Sequence, residues 1–302
     1  MLLQEALRRA YRQLQKAGVD APLLDADLLM RRVLGVPGEK LLGHPDLPVT
    51  PQLRRRFFAL VGRRARREPL AYILGHKEFY GLDFLVNRAV LIPRPETETL
   101  VEAIFDEERK QKIKNRKQLI VEVGTGSGIV AITLAKYLPK ATIYATDTSA
   151  AALSVAKKNA ARHQAAVIFK KGNLLSPFKK TTSYQLPITS YLIIAANLPY
   201  VPTREWKTLQ PEIRKYEPRG AVDGGPDGLK YYRQLILQLQ KLLITSYRLP
   251  VTIFLEFDPE ETVALRNLVK KSFPAAKMEI KKDLAGRNRV FIATLPFKIG
   301  AP

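Results

Sequence analysis

From residue 119 onward the chain alternates short apolar runs with helical segments, and nothing else in it restricts the fold as strongly. Runs at 119–123, 142–146, 166–170, 192–196, 251–257, 277–281 and 289–294 have strand length, with β-branched and aromatic residues among them. Helical spacing covers 129–137, 150–162, 229–243 and 259–271. Strands separated by helices predict an α/β class: a doubly wound, mostly parallel seven-stranded sheet. Ligands of such sheets sit outside the C-terminal strand ends, so the loops after the strands are where chemistry is expected.

The loop after the first of these strands reads Glu122-Val123-Gly124-Thr125-Gly126-Ser127-Gly128. Glycines there permit a tight strand-to-helix turn and a close backbone approach to a ligand. A dinucleotide fingerprint would need glycine at position 129, where Ile129 stands, and a P-loop would need Lys followed by Ser or Thr. Both phosphate-binding readings fail. Asp147 ends the second strand, where it presents a carboxylate acceptor at the same edge; it also suits an N-cap for the helix beginning near Ala150. Asn173 and Leu174 follow the third strand. Asn173 offers a carbonyl acceptor to an amino group, as a plain loop asparagine would, and Leu174 offers an apolar surface.

The fourth strand delivers Asn197-Leu198-Pro199-Tyr200 to the same edge. An amide, a proline-restrained turn and a flat aromatic face at one point can grip another planar, amide-like group. These residues also suit an ordinary strand-to-loop exit.

Residues 2 to about 75 carry helical spacing instead. Leu2, Leu3, Ala6, Leu7, Ala10, Tyr11 and Leu14 form one stripe before Gly18; Leu23, Leu24, Ala26, Leu28, Leu29 and Val33 form a second between Pro22 and Gly35. A third helix starts near Thr50-Pro51, with Leu53, Phe57, Phe58, Leu60 and Val61 inward and Arg54, Arg55, Arg56, Arg63, Arg64, Arg66 and Arg67 outward. That face is expected to be solvated or to meet an acidic partner. Residues 78–86 suggest a hairpin. In Ile92-Pro93-Arg94-Pro95-Glu96-Thr97-Glu98 the prolines force an extended entry to a helix opening at Thr97 or Glu98 and running through Phe105, with 107–118 as an exposed connection. The related stretches 182–187 and 245–250 read as similar loops.

With no cysteine and three histidines, a disulfide framework, a thiolate nucleophile and a histidine metal site are all disfavoured, and no metal is expected. No apolar run is long enough to span a bilayer, so no membrane association is expected. The formal charge of +22 attracts polyanions without choosing among them.

The glycine loop together with Asp147 resembles motif I of the class I S-adenosylmethionine-dependent methyltransferases. Several stretches together resemble the PrmC (HemK) family of protein-glutamine methyltransferases. They are 67–75, the Phe79-Tyr80-Gly81 turn, the Pro-Arg-Pro-Glu-Thr-Glu segment, the glycine loop, the Asn197 stretch, Tyr216-Glu217-Pro218-Arg219, Gly224-Gly225-Pro226-Asp227-Gly228-Leu229 and 283–290. The resemblance implies a helical substrate-docking domain at 1–75, a hairpin linker at 76–92 and a methyltransferase domain at 93–302. It implies S-adenosyl-L-methionine as methyl donor, held by Glu122, Gly124, Thr125, Gly126, Ser127, Gly128, Asp147, Asn173, Leu174 and Asn197. The catalytic stretch would be Asn197, Leu198, Pro199 and Tyr200, acting on the glutamine of the Gly-Gly-Gln loop of class-1 peptide release factors. A cytoplasmic monomer with weak attraction to nucleic acid or ribosomes is expected. The family site usually reads Asn-Pro-Pro-Tyr; Leu198 departs from it, and the Asn-Leu-Pro-Tyr spelling also resembles RNA adenine dimethyltransferases. The alternative expectation is therefore an adenine exocyclic-amine methyltransferase acting on RNA or DNA.

Overall fold

The computed structural model describes residues 1–35, 46–110, 118–178, 191–245 and 250–295. They fall into two compact units, Met1–His76 with Leu209–Tyr216, and Lys77–Thr208 with Glu217–Pro302.

In the first unit, helices Leu3–Lys16, Pro22–Leu34 and Pro51–Ala65 enclose Leu3, Ala6, Ala10, Leu14, Leu29, Phe57 and Val61. Thr50 caps the third helix, its hydroxyl accepting the Leu53 amide at 3.3 Å. Two expectations are corrected. Leu23 and Leu24 do not line the core but stand 67% and 56% exposed, because the inward positions of their helix fall on Asp25, Ala26, Leu29, Met30 and Val33. The arginine face is not uniformly solvated either. Arg64 is buried, with Nε 2.6 Å from Asp25 Oδ2 and Nη1 2.8 Å from Glu212 Oε1. Arg67 also reaches Glu212, at 2.6 Å, while Arg63 pairs with Glu68 at 2.8 Å. Glu212 comes from the short helix Pro211–Tyr216, an element the sequence reading did not contain.

In the second unit, strands β1 (His76–Phe79) and β2 (Leu82–Leu85) form a hairpin turning at Tyr80 and Gly81, whose φ values are +52° and +73°. Both central residues in the left-handed region make the turn that matches strand twist. The main sheet comprises β3 (Gln118–Val123), β4 (Thr142–Asp147), β5 (Val167–Lys171), β6 (Tyr191–Asn197), β7 (Val251–Glu256), β8 (Lys277–Lys282) and β9 (Asn288–Leu295). Their order is β5-β4-β3-β6-β7-β9-β8, parallel except around β9, which runs antiparallel to both neighbours. The seven-stranded doubly wound expectation holds.

Side chains alternate across the sheet. Ile120, Ile193 and Phe254 pack with Phe79, Phe84, Leu100, Ile104 and Ile132 on one face. Val121, Ile194 and Leu255 pack with Tyr232, Leu235, Leu265 and Phe291 on the other. The helix Glu98–Lys110 extends past the expected end at Phe105 and takes in the start of the predicted 107–118 connection. Residues 111–117 of that connection, the 182–187 stretch and most of 245–250 lie outside the described residues, and Gln118, its expected last residue, opens strand Gln118–Val123 instead. No described helix is long and apolar enough to cross a membrane.

Candidate active site

Parallel pairing decides what meets what at the sheet edge. Val123 of β3 lies opposite Ala196 of β6, so Gly124 and Asn197 leave adjacent strands side by side. A Cβ on Gly124 would lie 3.2 Å from Leu198 Cδ2 and 3.9 Å from the Asn197 carbonyl oxygen. The buried Leu198 side chain thus fills the space beside the glycine loop.

Within that loop the amides of Gly124 and Thr125 both donate to the Thr146 carbonyl at 2.9 Å. The Gly126 amide donates to Asp147 Oδ2 at 2.9 Å, and the Ser149 amide to Asp147 Oδ1 at 2.8 Å. Ser149, not Asp147, caps the helix Ala150–Arg162, its hydroxyl accepting the Ala152 amide at 3.1 Å. Asp147 instead clamps the loop to β4. At Gly126 a Cβ would meet nothing within 4 Å, which marks the open side of the turn. At Gly128 a Cβ would lie 2.8 Å from Ile132 Cδ1 and 3.2 Å from Ala156 Cβ, so this glycine serves helix packing. Thr125 and Ser127 are buried; the Thr125 hydroxyl donates to Glu122, and the Ser127 carbonyl accepts from Asn159 Nδ2 at 2.9 Å.

Glu122 is buried behind the loop and also accepts the Ala131 amide at 3.0 Å. Burial pushes its carboxyl up to about 8, with Thr125 and Ala131 pulling the other way. Asn173 is exposed, whereas Leu174 is buried in the core with φ +54°, an unusual backbone region for a side chain of its size.

On the acceptor side, Asn197 Nδ2 donates to Thr97 Oγ1 at 3.0 Å. The amide oxygen of Asn197 is thereby turned away from Thr97. The one proton of the buried Tyr232 hydroxyl goes to the Glu256 carbonyl at 2.5 Å, and the Leu198 carbonyl lies farther from that hydroxyl, at 3.3 Å. One lone pair of the Leu198 carbonyl remains available. Tyr200 is partly buried beside Glu256 and Arg289; burial and the Glu256 charge push its phenol up.

Three stretches distant from one another in sequence brace this edge. Glu217 accepts from Arg94 Nη2 at 2.5 Å and from the Ile92 amide at 3.0 Å, which pins the proline-rich segment before Thr97. The Gly224 amide donates to the Val201 carbonyl at 2.8 Å. A Cβ on Gly224 would lie 2.7 Å from the Pro199 carbonyl and 2.8 Å from Tyr200 Cα. At Gly228 a Cβ would fall on the Glu261 carboxylate and 2.3 Å from the Tyr200 carbonyl. The glycines therefore let their loop lie directly on Pro199-Tyr200.

Sequence reasoning missed Thr97, Tyr232, Glu256 and Asn159 as parts of the site. Asn159 carried a usable signal. It sits on the buried stripe of its helix with Ala152, Leu153, Val155, Ala156 and Ala160, and a polar residue there needs partners. It finds them in Ser127 and in both backbone groups of Leu85, at 2.8 and 3.0 Å. Among the described residues no group of three or more His, Cys, Asp or Glu is placed to hold a metal ion.

Residues 5–75 match the PrmC N-terminal domain and residues 97–189 the methyltransferase small domain. The release factor glutamine methyltransferase of Moorella thermoacetica is 38% identical over 97% of this chain and 98% of its own length. That of Bacillus cereus is 32% identical over 98% of this chain and all of its own. That of Geobacter sulfurreducens is 40% identical over 74% of each. In fold, the N-terminal domain of human METTL16 in complex with SAH aligns over 94% of each chain with a TM-score of 0.50 at 16% identity. The hMettl16 catalytic domain bound to an RNA hairpin aligns over 80% of this chain and 84% of its own, with a TM-score of 0.52 at 18% identity. Carried over nearly its whole length by such relatives, the chain belongs to the release factor glutamine methyltransferases.

Proposed function

We propose that this protein transfers a methyl group from S-adenosyl-L-methionine to the side-chain amide nitrogen of the glutamine in the Gly-Gly-Gln loop of class-1 peptide release factors. The observation that carries this reading is the side-by-side exit of the glycine loop and Asn197 from paired strands β3 and β6. The donor pocket and an amide-gripping residue share one edge.

The residues suit the donor. Gly126 leaves open space, Asp147 lies beside it, and the buried Glu122 carboxyl is poised to ionise beside an ammonium group. Gly124, Thr125, Ser127, Gly128, Asn173, Leu174 and Asn197 complete the set assigned to the donor. When bound, the donor supplies a methyl group on sulfur that is open to nucleophilic attack.

An amide nitrogen is a poor nucleophile because its lone pair is delocalised. Asn197 Oδ1 and the Leu198 carbonyl accept the two amide hydrogens, aim the nitrogen, and stabilise the positive charge that develops on it. Tyr200 packs on the amide plane, and Pro199 holds the turn. Leu198 contributes its carbonyl, while its side chain belongs to the core. The relatives named above are glutamine methyltransferases, which favours this acceptor over an adenine amine. The helical unit docks the release factor. The protein works as a cytoplasmic monomer, and its +22 charge adds weak attraction to ribosomes.

The test is mass spectrometry of a release factor incubated with the purified protein and the methyl donor. One glutamine gaining one methyl group is expected. N197A should lose about 10- to 100-fold in rate, the worth of one charge-assisted hydrogen bond. Methyl transfer to polynucleotide instead, or full activity in N197A, would refute the assignment.

A further inference from the structure

The Pro-Arg-Pro-Glu-Thr-Glu segment is fastened more firmly than a connecting loop requires. Glu217 holds its entry through Arg94 and the Ile92 amide, and Glu98 holds its exit by accepting the Tyr80 amide at 2.9 Å. Between these anchors a short 3-10 turn, Pro95–Thr97, places Thr97 in the interior at 1% exposure.

Two groups face Thr97. One is Asn197 Nδ2, 3.0 Å from its hydroxyl oxygen. The other is the carboxyl of Glu256, the residue paired with Asn197 in register across β6 and β7. Glu256 is fully buried, and neither carboxyl oxygen completes a hydrogen bond of ordinary geometry among the described residues. Burial pushes the Glu256 carboxyl up to about 7, while the Thr97 hydroxyl, Arg289 and Arg94 pull it the other way and Glu96 adds to the rise.

An amide side chain can sit in either of two flipped states, and only one presents oxygen to an acceptor NH₂ group. A hydroxyl has one proton to give. If that proton goes to a carboxyl oxygen, the hydroxyl oxygen can only accept, and the neighbouring amide must offer it nitrogen.

We propose that Thr97 and Glu256 are positioning residues for methyl transfer: Glu256 draws the Thr97 hydroxyl proton, Thr97 then accepts from Asn197 Nδ2, and Asn197 Oδ1 is held facing the acceptor amide. The relay rests on the role given above to Asn197. It assigns a task to the Pro-Arg-Pro-Glu-Thr-Glu segment, which carries the hydroxyl, and to the end of β7, which carries the carboxyl. Neither residue touches the substrate. Their effect passes through Asn197, so it belongs in kcat.

The test is a mutant cycle on the full chain, with kcat, KM for the release factor and methyl-donor affinity measured for T97V, T97S, E256Q, N197A and T97V/N197A. Removing one neutral hydrogen bond that fixes orientation should lower kcat about 10-fold in T97V. KM and donor affinity should stay within about two-fold, and T97S should restore most of the loss. E256Q, whose own NH₂ competes for the Thr97 oxygen, should also fall in kcat. The double variant should be no slower than N197A alone, because residues acting through one another are not additive. Multiplying losses in the double variant, or an unchanged kcat in T97V, would overturn the relay while leaving Asn197 its role. Full activity in N197A would overturn both. A thermal melt of each variant serves as the folding check, and T97A, which removes bulk with the hydroxyl, must show the same split between kcat and KM.

Discussion

Arg94 and Glu217, far apart in the chain, meet at 2.5 Å, and the same carboxylate accepts the Ile92 amide at 3.0 Å. Glu217 is buried, so its two oxygens are satisfied by this one segment and little else competes for them. The consequence is a fixed entry to the turn that carries Thr97.

E217A should therefore cost about 1–3 kcal/mol of stability, the cost of unmaking buried charged hydrogen bonds. Urea denaturation of the purified protein measures this. Activity should fall further than stability explains, because the entry to the Thr97 turn is released; equal, proportionate losses would count against it.

Gly224 lies on the backbone of Pro199 and Tyr200, leaving no room for a Cβ at 2.7 and 2.8 Å from them. G224A should displace the Asn197–Tyr200 turn and lower kcat by about 10-fold or more, since small displacements of reacting groups are costly. Steady-state kinetics beside a circular-dichroism spectrum decides this. G286A is the control, because a Cβ there would meet nothing within 4 Å; its φ of +76° makes it locally strained but remote from the turn.

Leu198 is 3% exposed and packs on Gly124. L198A should destabilise the protein by about 2–4 kcal/mol, as large-to-small core substitutions do. The backbone carbonyl survives the change, so kcat at saturating substrate, measured well below the melting temperature, should fall less than in N197A. The reverse ranking would show that the side chain itself takes part in the reaction.

Burial pushes Glu122 up to about 8, Glu256 up to about 7 and Glu261 up to about 8. The folded protein then holds protons that the unfolded chain has already lost above the usual carboxylate range near 4.5. Stability rises with pH where the unfolded state binds more protons, and here the folded state binds more. The contribution of these groups is therefore full below about 4.5 and is lost progressively as pH rises toward 8. Melting temperature of the ligand-free protein should fall across pH 6 to 8, and E122Q should flatten that slope. A slope unchanged in E122Q, E256Q and E261Q alike would remove this account.

Arg64 and Arg54 lie on one helix, yet Arg64 is 6% exposed between Asp25 and Glu212 while Arg54 is on the surface. R64A strands two carboxylates and should cost about 3–5 kcal/mol, as breaking a buried ion pair does. R54A should fall within about 0.5 kcal/mol of the native protein. Thermal melts of the two variants test the contrast.

The sequence by itself determined what rests on local sterics and periodicity. Strand and helix positions from Leu119 onward follow from side-chain spacing within each stretch. The glycine loop follows from the positive φ values that its turn demands, and its departure from phosphate-binding patterns is readable at Ile129. Asn197 announced itself by sitting at the end of an apolar strand. Only the tertiary structure decided which distant residues complete the site. No local signal pairs Arg94 with Glu217, seats Gly224 against Tyr200, buries Arg64 among its exposed neighbours, or sets Thr97 against Asn197. The physical reason is the range of the forces. Backbone conformation and amphipathic spacing are set within one or two turns of chain, whereas ion pairs, close backbone approach and the burial of a carboxylate depend on which strands lie side by side. The strand order that puts β6 between β3 and β7 makes Asn197 the neighbour of both the glycine loop and Glu256.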